Sequence, residues 1–146
     1  MQKGKLIGIA IRKKSRAPME LLDTANISIN RGIDGDFRGK HEKRQVTLLS
    51  KEDWENACTD LGIEMPWITR RANLLTKDIS FKNTTGNHLQ IGGIVLQVTG
   101  ETQPCHRMDE AYNGLRNALT PDWRGGVLCV VVTGGKLQIG DSIHFK

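Results

Sequence analysis

Apolar positions along the chain recur mostly with a period of two, in short runs punctuated by glycine or polar clusters, the pattern of strands joined by tight turns. Lys5 to Ile11 reads as a first strand, Ala25 to Ile29 alternates weakly as a second, and Val46 to Leu49 is a third. Leu89 to Val98 places Ile91, Ile94, Leu96 and Val98 around the breaker pair Gly92-Gly93, and Val127 to Thr133 is a nearly continuous β-branched run suited to a strand buried on both faces. Gly134-Gly135 predicts a hairpin turn into Lys136 to Ile139, and Gly140-Asp141 another into Ser142 to Phe145, together a terminal β meander. Only two stretches carry helical spacing. Ser50 with Asp53 approximates a capping box ahead of the stripe Trp54, Ala57, Cys58 and Leu61, closed by Gly62. Ala111, Tyr112, Leu115, Ala118 and Leu119 share one face of a second helix, with Asp109 and Glu110 in its first turn and Pro121 at its end. The expected fold class is mainly β, a barrel with a few peripheral α-helices. No repeat or linker interrupts it, so residues 1–146 are expected to form one domain.

Composition adds constraints. Hydrophobic residues at 38% and charged residues at 25% suit a folded globular chain. A net charge of +5 implies an anionic ligand or partner, but aromatics at 5% and the lack of a nucleic-acid motif argue against DNA or RNA. The three cysteines, Cys58, Cys105 and Cys129, form no CxxC pair, which favours a reducing, cytoplasmic setting. The apolar run Leu6 to Ile11 is too short for a signal-peptide core, and no later run is long enough to span a bilayer, so no membrane association is expected.

Candidate chemistry centres on Thr99 to Glu110. Cys105 follows Pro104 and sits just upstream of the second helix, beside His106 and Arg107, where positive potential favours a thiolate able to attack electrophiles or bind a soft metal. Cys58 and Cys129 fall within apolar patterns and are expected to be core. If Arg70 to Asn73 is extended, Arg71 and Asn73 share a face able to hold an anion while Arg70 points the other way; a plain surface pair of arginines is equally consistent. In the basic loop Arg12 to Pro18, Lys14 and the Ser15 hydroxyl either contact a phosphate or are simply solvated. Asp34, Asp36 and His41 lie in a glycine-rich segment without metal-ligand spacing and are read as loop-structuring groups.

Several of these pieces occur together in one family. Gly32-Ile33-Asp34-Gly35-Asp36, Arg44-Gln45-Val46-Thr47-Leu48, Arg70-Arg71-Ala72-Asn73-Leu74, Gln103-Pro104-Cys105 and Arg124-Gly125-Gly126-Val127, followed by Gly135 and Gly140-Asp141, stand in the order seen in MOSC domains. The chain resembles a stand-alone bacterial MOSC protein, related to the C-terminal domain of molybdenum cofactor sulfurases. The resemblance implies a MOSC-type β-barrel that binds a molybdenum–molybdopterin cofactor, with Cys105 as molybdenum ligand and catalytic residue. It implies cofactor contacts from Arg71 and Asn73, from Gln103 (where a shorter polar side chain is usual), from Lys14 and Ser15 at the phosphate, and from Arg70 and Arg124 within the shared motifs. The implied activity is reduction of N-hydroxylated compounds; with no iron–sulfur cysteine pattern here, electrons come from a separate transfer protein. The alternative is a sulfur carrier, with a Cys105 persulfide supplied by a pyridoxal-phosphate cysteine desulfurase.

Overall fold

A computed structural model describes residues 3–40 and 42–146. His41 lies outside the described residues. The strands are β1 (Lys3–Ile11), β2 (Glu20–Leu22), β3 (Thr24–Ser28), β4 (Gly32–Ile33), β5 (Val46–Ser50), β6 (Leu74–Lys77), β7 (His88–Ile91), β8 (Ile94–Glu101), β9 (Val127–Thr133), β10 (Gly135–Gln138) and β11 (Ser142–Phe145). The helices are α1 (Lys51–Leu61), α2 (His106–Ala111) and α3 (Leu115–Leu119).

Seven strands close into a barrel in the order β11-β7-β8-β9-β5-β6-β1, sealed by the β1–β11 pairing, and β2 adds to the far end of β1. Closure removes the open edges that a sheet this size would otherwise present. Neighbours in the barrel run antiparallel except β5 and β6, which are parallel and therefore need a crossover, supplied by α1. Alternation along these two strands explains their uninterrupted apolar character. Leu48 and Leu74 pack inside the barrel with Leu6, Phe81, Leu96 and Val127. Leu49 and Leu75 point outward into a second cluster with Trp54, Ala57, Cys58, Met108, Leu115 and Leu119. The helices are thus held by the outer face of β5 and β6.

Helix α1 begins as its sequence predicts. The Ser50 hydroxyl accepts the Asp53 amide at 3.2 Å, and left-handed Gly62 closes the other end while Ile63 donates back to the Cys58 carbonyl at 3.1 Å.

Three expectations change, and one strand is added. The terminal meander does not form: β10 pairs with β3 to make a small sheet β4-β3-β10, and β11 pairs with β1 and β7. A glycine pair signals that the chain turns but not which strand it meets, and here Gly134 lies so close to β3 that a Cβ would stand 2.6 Å from the Ile27 carbonyl. The second helix is two, because Tyr112 is extended, Gly114 is left-handed, and the Asp109 carboxylate draws the Gly114 and Arg116 amides at 3.2 and 3.0 Å. Residues Arg70 to Asn73 are not a strand. After Pro66 the chain winds a 3-10 turn, Trp67–Arg70, and ends it on Arg71 in the left-handed region at φ 64, which cancels the two-face reading of the arginines. Finally, β2 carries no sequence signal of its own and exists by pairing Glu20–Leu22 with the end of β1.

Candidate functional site

A cleft of about 360 Å³ opens across β5, lined by Ser15, Arg70, Arg71, Asn73, Thr102 and Cys105 together with further arginines. Its floor is built by close approach of backbone. Gly126 at φ 93 lies against β5 where a Cβ would stand 2.0 Å from the Leu48 carbonyl, and a Cβ on Gly125 would stand 2.4 Å from the Thr102 carbonyl. These contacts place two carbonyls around Arg70, whose Nε donates to Gly125 O at 3.1 Å and whose Nη2 donates to Thr102 O at 3.0 Å. Its Nη1 reaches Met108 Sδ at 3.7 Å. Arg70 is buried, and no carboxylate partners it among the described ion pairs. Burial pushes its guanidinium down to about 10, with nearby Cys105 opposing the drop and Arg44 adding to it, so it stays charged at neutral pH.

Cys105 is exposed and stands at the N-cap of α2, but its side chain makes no capping hydrogen bond, leaving the sulfur free. Helix α2 has 6 residues, too few for its amides to contribute much field. Cationic side chains supply the potential instead. The other thiols are buried: desolvation raises the pKa of Cys58, and that of Cys129 further.

Arg71 extends across the cleft mouth and donates through Nη2 to the Ala17 carbonyl, while its own carbonyl accepts Arg12 Nη1 at 3.4 Å. Burial and the nearby Arg107 charge lower its pKa. Asn73 reaches the cleft but is largely committed to the fold: Oδ1 accepts from the Thr47 amide and hydroxyl at 3.0 and 3.2 Å, and Nδ2 donates to Ala10 O at 3.1 Å. It ties the end of β1 to the start of β5. Ser15 lines the cleft and Lys14 does not. Gln103 is exposed and absent from the lining; Arg124 also stands apart, its Nη1 donating to Asp60 Oδ2 at 2.6 Å and to Ala118 O at 3.0 Å. Its neighbour Gly125 reaches the site instead.

Sequence reasoning missed Arg16 and Arg44 in the lining, and three further contributors. Arg12 and Arg38 enter the cleft on a loop that Asp36 organises, its two carboxylate oxygens accepting the Arg12 and Arg38 amides at 3.1 and 3.3 Å. This is the structuring role assigned to Asp36. Burial lowers both arginine pKa values; Arg71 and Arg38 lower that of Arg12 further, and Arg44 and Arg107 that of Arg38. The third is Thr102, only 9% exposed, whose hydroxyl has no hydrogen-bond partner among the described residues. Arg38 Nε and Arg44 Nε are likewise buried without partners. The sole signal for Arg38 was a cation within a glycine-rich segment, and for Thr102 its place three residues before Cys105. In all, seven arginines face two carboxylates, Asp36 and Glu110. Such a cleft is built for an anion, and it holds two soft donors, the exposed Cys105 thiol and the buried Met108 thioether that Arg70 Nη1 already reaches. No cluster of three or more His, Cys, Asp or Glu able to hold a metal ion occurs among the described residues.

The MOSC domain model matches residues 34–144. The chain belongs to the MOSC domain family. That family is associated with molybdenum-cofactor binding. Among solved structures, the MOSC chain is similar to the YUAD protein from Bacillus subtilis, at 18% identity and TM-score 0.83 over 99% of this chain and 98% of the other. It is also similar to YiiM from Escherichia coli (15%, TM-score 0.72, covering 100% and 70%) and YiiM from Geobacillus stearothermophilus (13%, TM-score 0.79, covering 98% and 75%). These likenesses establish the shared fold. No curated protein matches the chain. None of the helices among the described residues is long and apolar enough to cross a membrane.

Proposed function

We propose that this MOSC domain binds a molybdopterin-type cofactor in the arginine cleft, with Cys105 as the thiolate ligand of its molybdenum, and acts as an oxidoreductase component on N-hydroxylated compounds. The observation that carries the reading is an exposed, uncommitted thiol opening onto a cleft whose buried Arg70 lacks a carboxylate. The donor set fits the group: a thiolate for a soft metal, guanidinium forks for a phosphate, and orphaned polar atoms on Thr102, Arg38 and Arg44 for the remaining hydrogen bonds. When bound, the cofactor supplies two-electron chemistry at the metal. The chain's own residues do the rest: Arg71 and Arg107 attract and orient the anionic ligand at the mouth, Arg70 holds positive charge beneath it, and Asn73 fixes the β1–β5 junction that shapes the floor. Electrons come from a separate transfer protein.

The test is elemental and fluorescence analysis of protein purified from cells that make the cofactor. Wild type retains molybdenum and pterin together, and Cys105→Ser loses the metal; equal metal in both would remove Cys105 from the coordination sphere. A second reading, a sulfur carrier loaded by a cysteine desulfurase, is favoured by the same free sulfur. It predicts a Cys105 persulfide in protein that carries no metal.

A further inference from the structure

We infer that Cys105 accepts sulfur from thiosulfate-type donors, in which the transferable sulfur is bonded to an oxyanion sulfur. This rests on the second reading, Cys105 as sulfur acceptor, and names its donor class. The cleft supplies what each half of such a donor needs. Cys105 offers a nucleophile whose sulfur is exposed and takes no part in capping, whereas Cys58 and Cys129 are buried. The oxyanion half needs cations and hydrogen-bond donors at one place. Arg107 lies two residues past the thiol, Arg70 sits below with its charge unneutralised by a carboxylate among the described ion pairs, and Thr102 lines the same cleft, its buried hydroxyl without a hydrogen-bond partner among the described residues. An unpaired buried hydroxyl is costly unless something supplies its partner, and an oxyanion does.

The step balances without any further reactant. The Cys105 thiolate attacks the outer sulfur of thiosulfate and forms a new S–S bond. The bond between the outer and oxidised sulfurs breaks, its electron pair departing with sulfite. One anion and one dianion yield a persulfide anion and a sulfite dianion. No proton moves, and the oxidation of the cysteine sulfur is matched by reduction of the sulfonate sulfur to sulfite. The arginines hold the departing sulfite as they held thiosulfate, so the cleft stabilises charge as it shifts onto the leaving group. A nucleophilic acceptor such as cyanide then removes the outer sulfur as thiocyanate and restores the thiolate.

The experiment incubates the reduced, metal-free protein with thiosulfate, with a cysteine desulfurase plus cysteine as a parallel donor. It follows sulfite release and, by intact mass, the gain of one sulfur atom. Wild type should gain one sulfur from thiosulfate, release matching sulfite, and yield thiocyanate on cyanide addition; Cys105→Ser should do none of these. Thr102→Val and Arg107→Gln should each lower the rate of thiosulfate loading, relative to desulfurase loading, about tenfold. Loading by the desulfurase alone, or unchanged ratios in both variants, overturns the proposed donor class and leaves the carrier reading standing. Loading by neither donor overturns both.

Discussion

Arg70 is the residue on which the site's chemistry turns, because a buried guanidinium bonded to carbonyls and a thioether retains its full positive charge. Beside it, Arg71 ends the 3-10 turn in a left-handed conformation, a costly one for a residue with a long side chain. Arg71→Ala should weaken retention of an anionic ligand by about 1.5 to 3 kcal/mol, the loss of one charge-assisted hydrogen bond, read by equilibrium binding. Unchanged affinity would take Arg71 out of the site. Thr102 gives the opposite expectation in the empty protein. Its hydroxyl is already unpaired, so Thr102→Val should leave stability unchanged or raise it by up to about 1 kcal/mol in denaturant titration. A loss exceeding that would reveal a partner for the hydroxyl.

Among the elements, α1 and its neighbours show how helices are fastened to the barrel. Ser50→Ala should cost about 1 kcal/mol by removing the cap, seen as a lower denaturation midpoint at constant slope. In the same first turn, burial pushes Asp53 up to about 6; Arg124 opposes the rise, while Glu52 and Asp122 add to it. A carboxyl raised in the folded state binds its proton more tightly there than in the unfolded chain. Its contribution to stability therefore falls as pH rises from about 4 to about 6, and the penalty stays in place above that. Asp53→Asn should accordingly stabilise the protein at pH 8 and lose that advantage below about pH 4, measured by thermal unfolding across pH. A pH-independent difference would mean that Asp53 titrates normally.

What could be read in advance also divides at this scale. The cap and stripe of α1 and the strand character of β9 are local signals, complete within a dozen residues, and both elements form. Strand β9 is not buried on both faces, however: Val127, Cys129 and Val131 point into the barrel while Val132 and Thr133 are exposed. The Asp109-centred break between α2 and α3 was written in Asn113-Gly114 but outweighed by the apolar spacing around it. The pairing of β10 with β3 depends on partners more than a hundred residues apart in the chain, which no window of sequence contains.

For the whole molecule, the barrel's role is to bring separate stretches to one cleft. Arg12 arrives from the end of β1, Arg38 from the loop before β5, Arg70 and Arg71 from the turn before β6, and Thr102 and Cys105 from the strap after β8. Gln45 locks this arrangement, its amide nitrogen donating to Ile29 O at 2.6 Å and Gly39 O at 3.2 Å while its oxygen accepts the Val131 amide at 2.8 Å. Cys105, Arg70 and Arg71 were legible because their motifs are contiguous. Arg12 and Arg38 were not, since closure of the barrel makes them neighbours; Thr102 lies three residues from Cys105, but nothing local marks its hydroxyl as buried and unpaired; and Arg124 was drawn instead to Asp60 on α1. The same convergence concentrates positive charge, so affinity for a phosphate-bearing ligand should fall as salt rises. Salt-independent binding would point to a recognition that does not use the arginines. The central claim, that the Cys105 sulfur bonds directly to molybdenum, is tested most directly by X-ray absorption at the metal in cofactor-loaded protein. The account predicts that Cys105→Ser, loaded under conditions that force occupancy, loses one sulfur neighbour from the metal shell; an unaltered shell would contradict it.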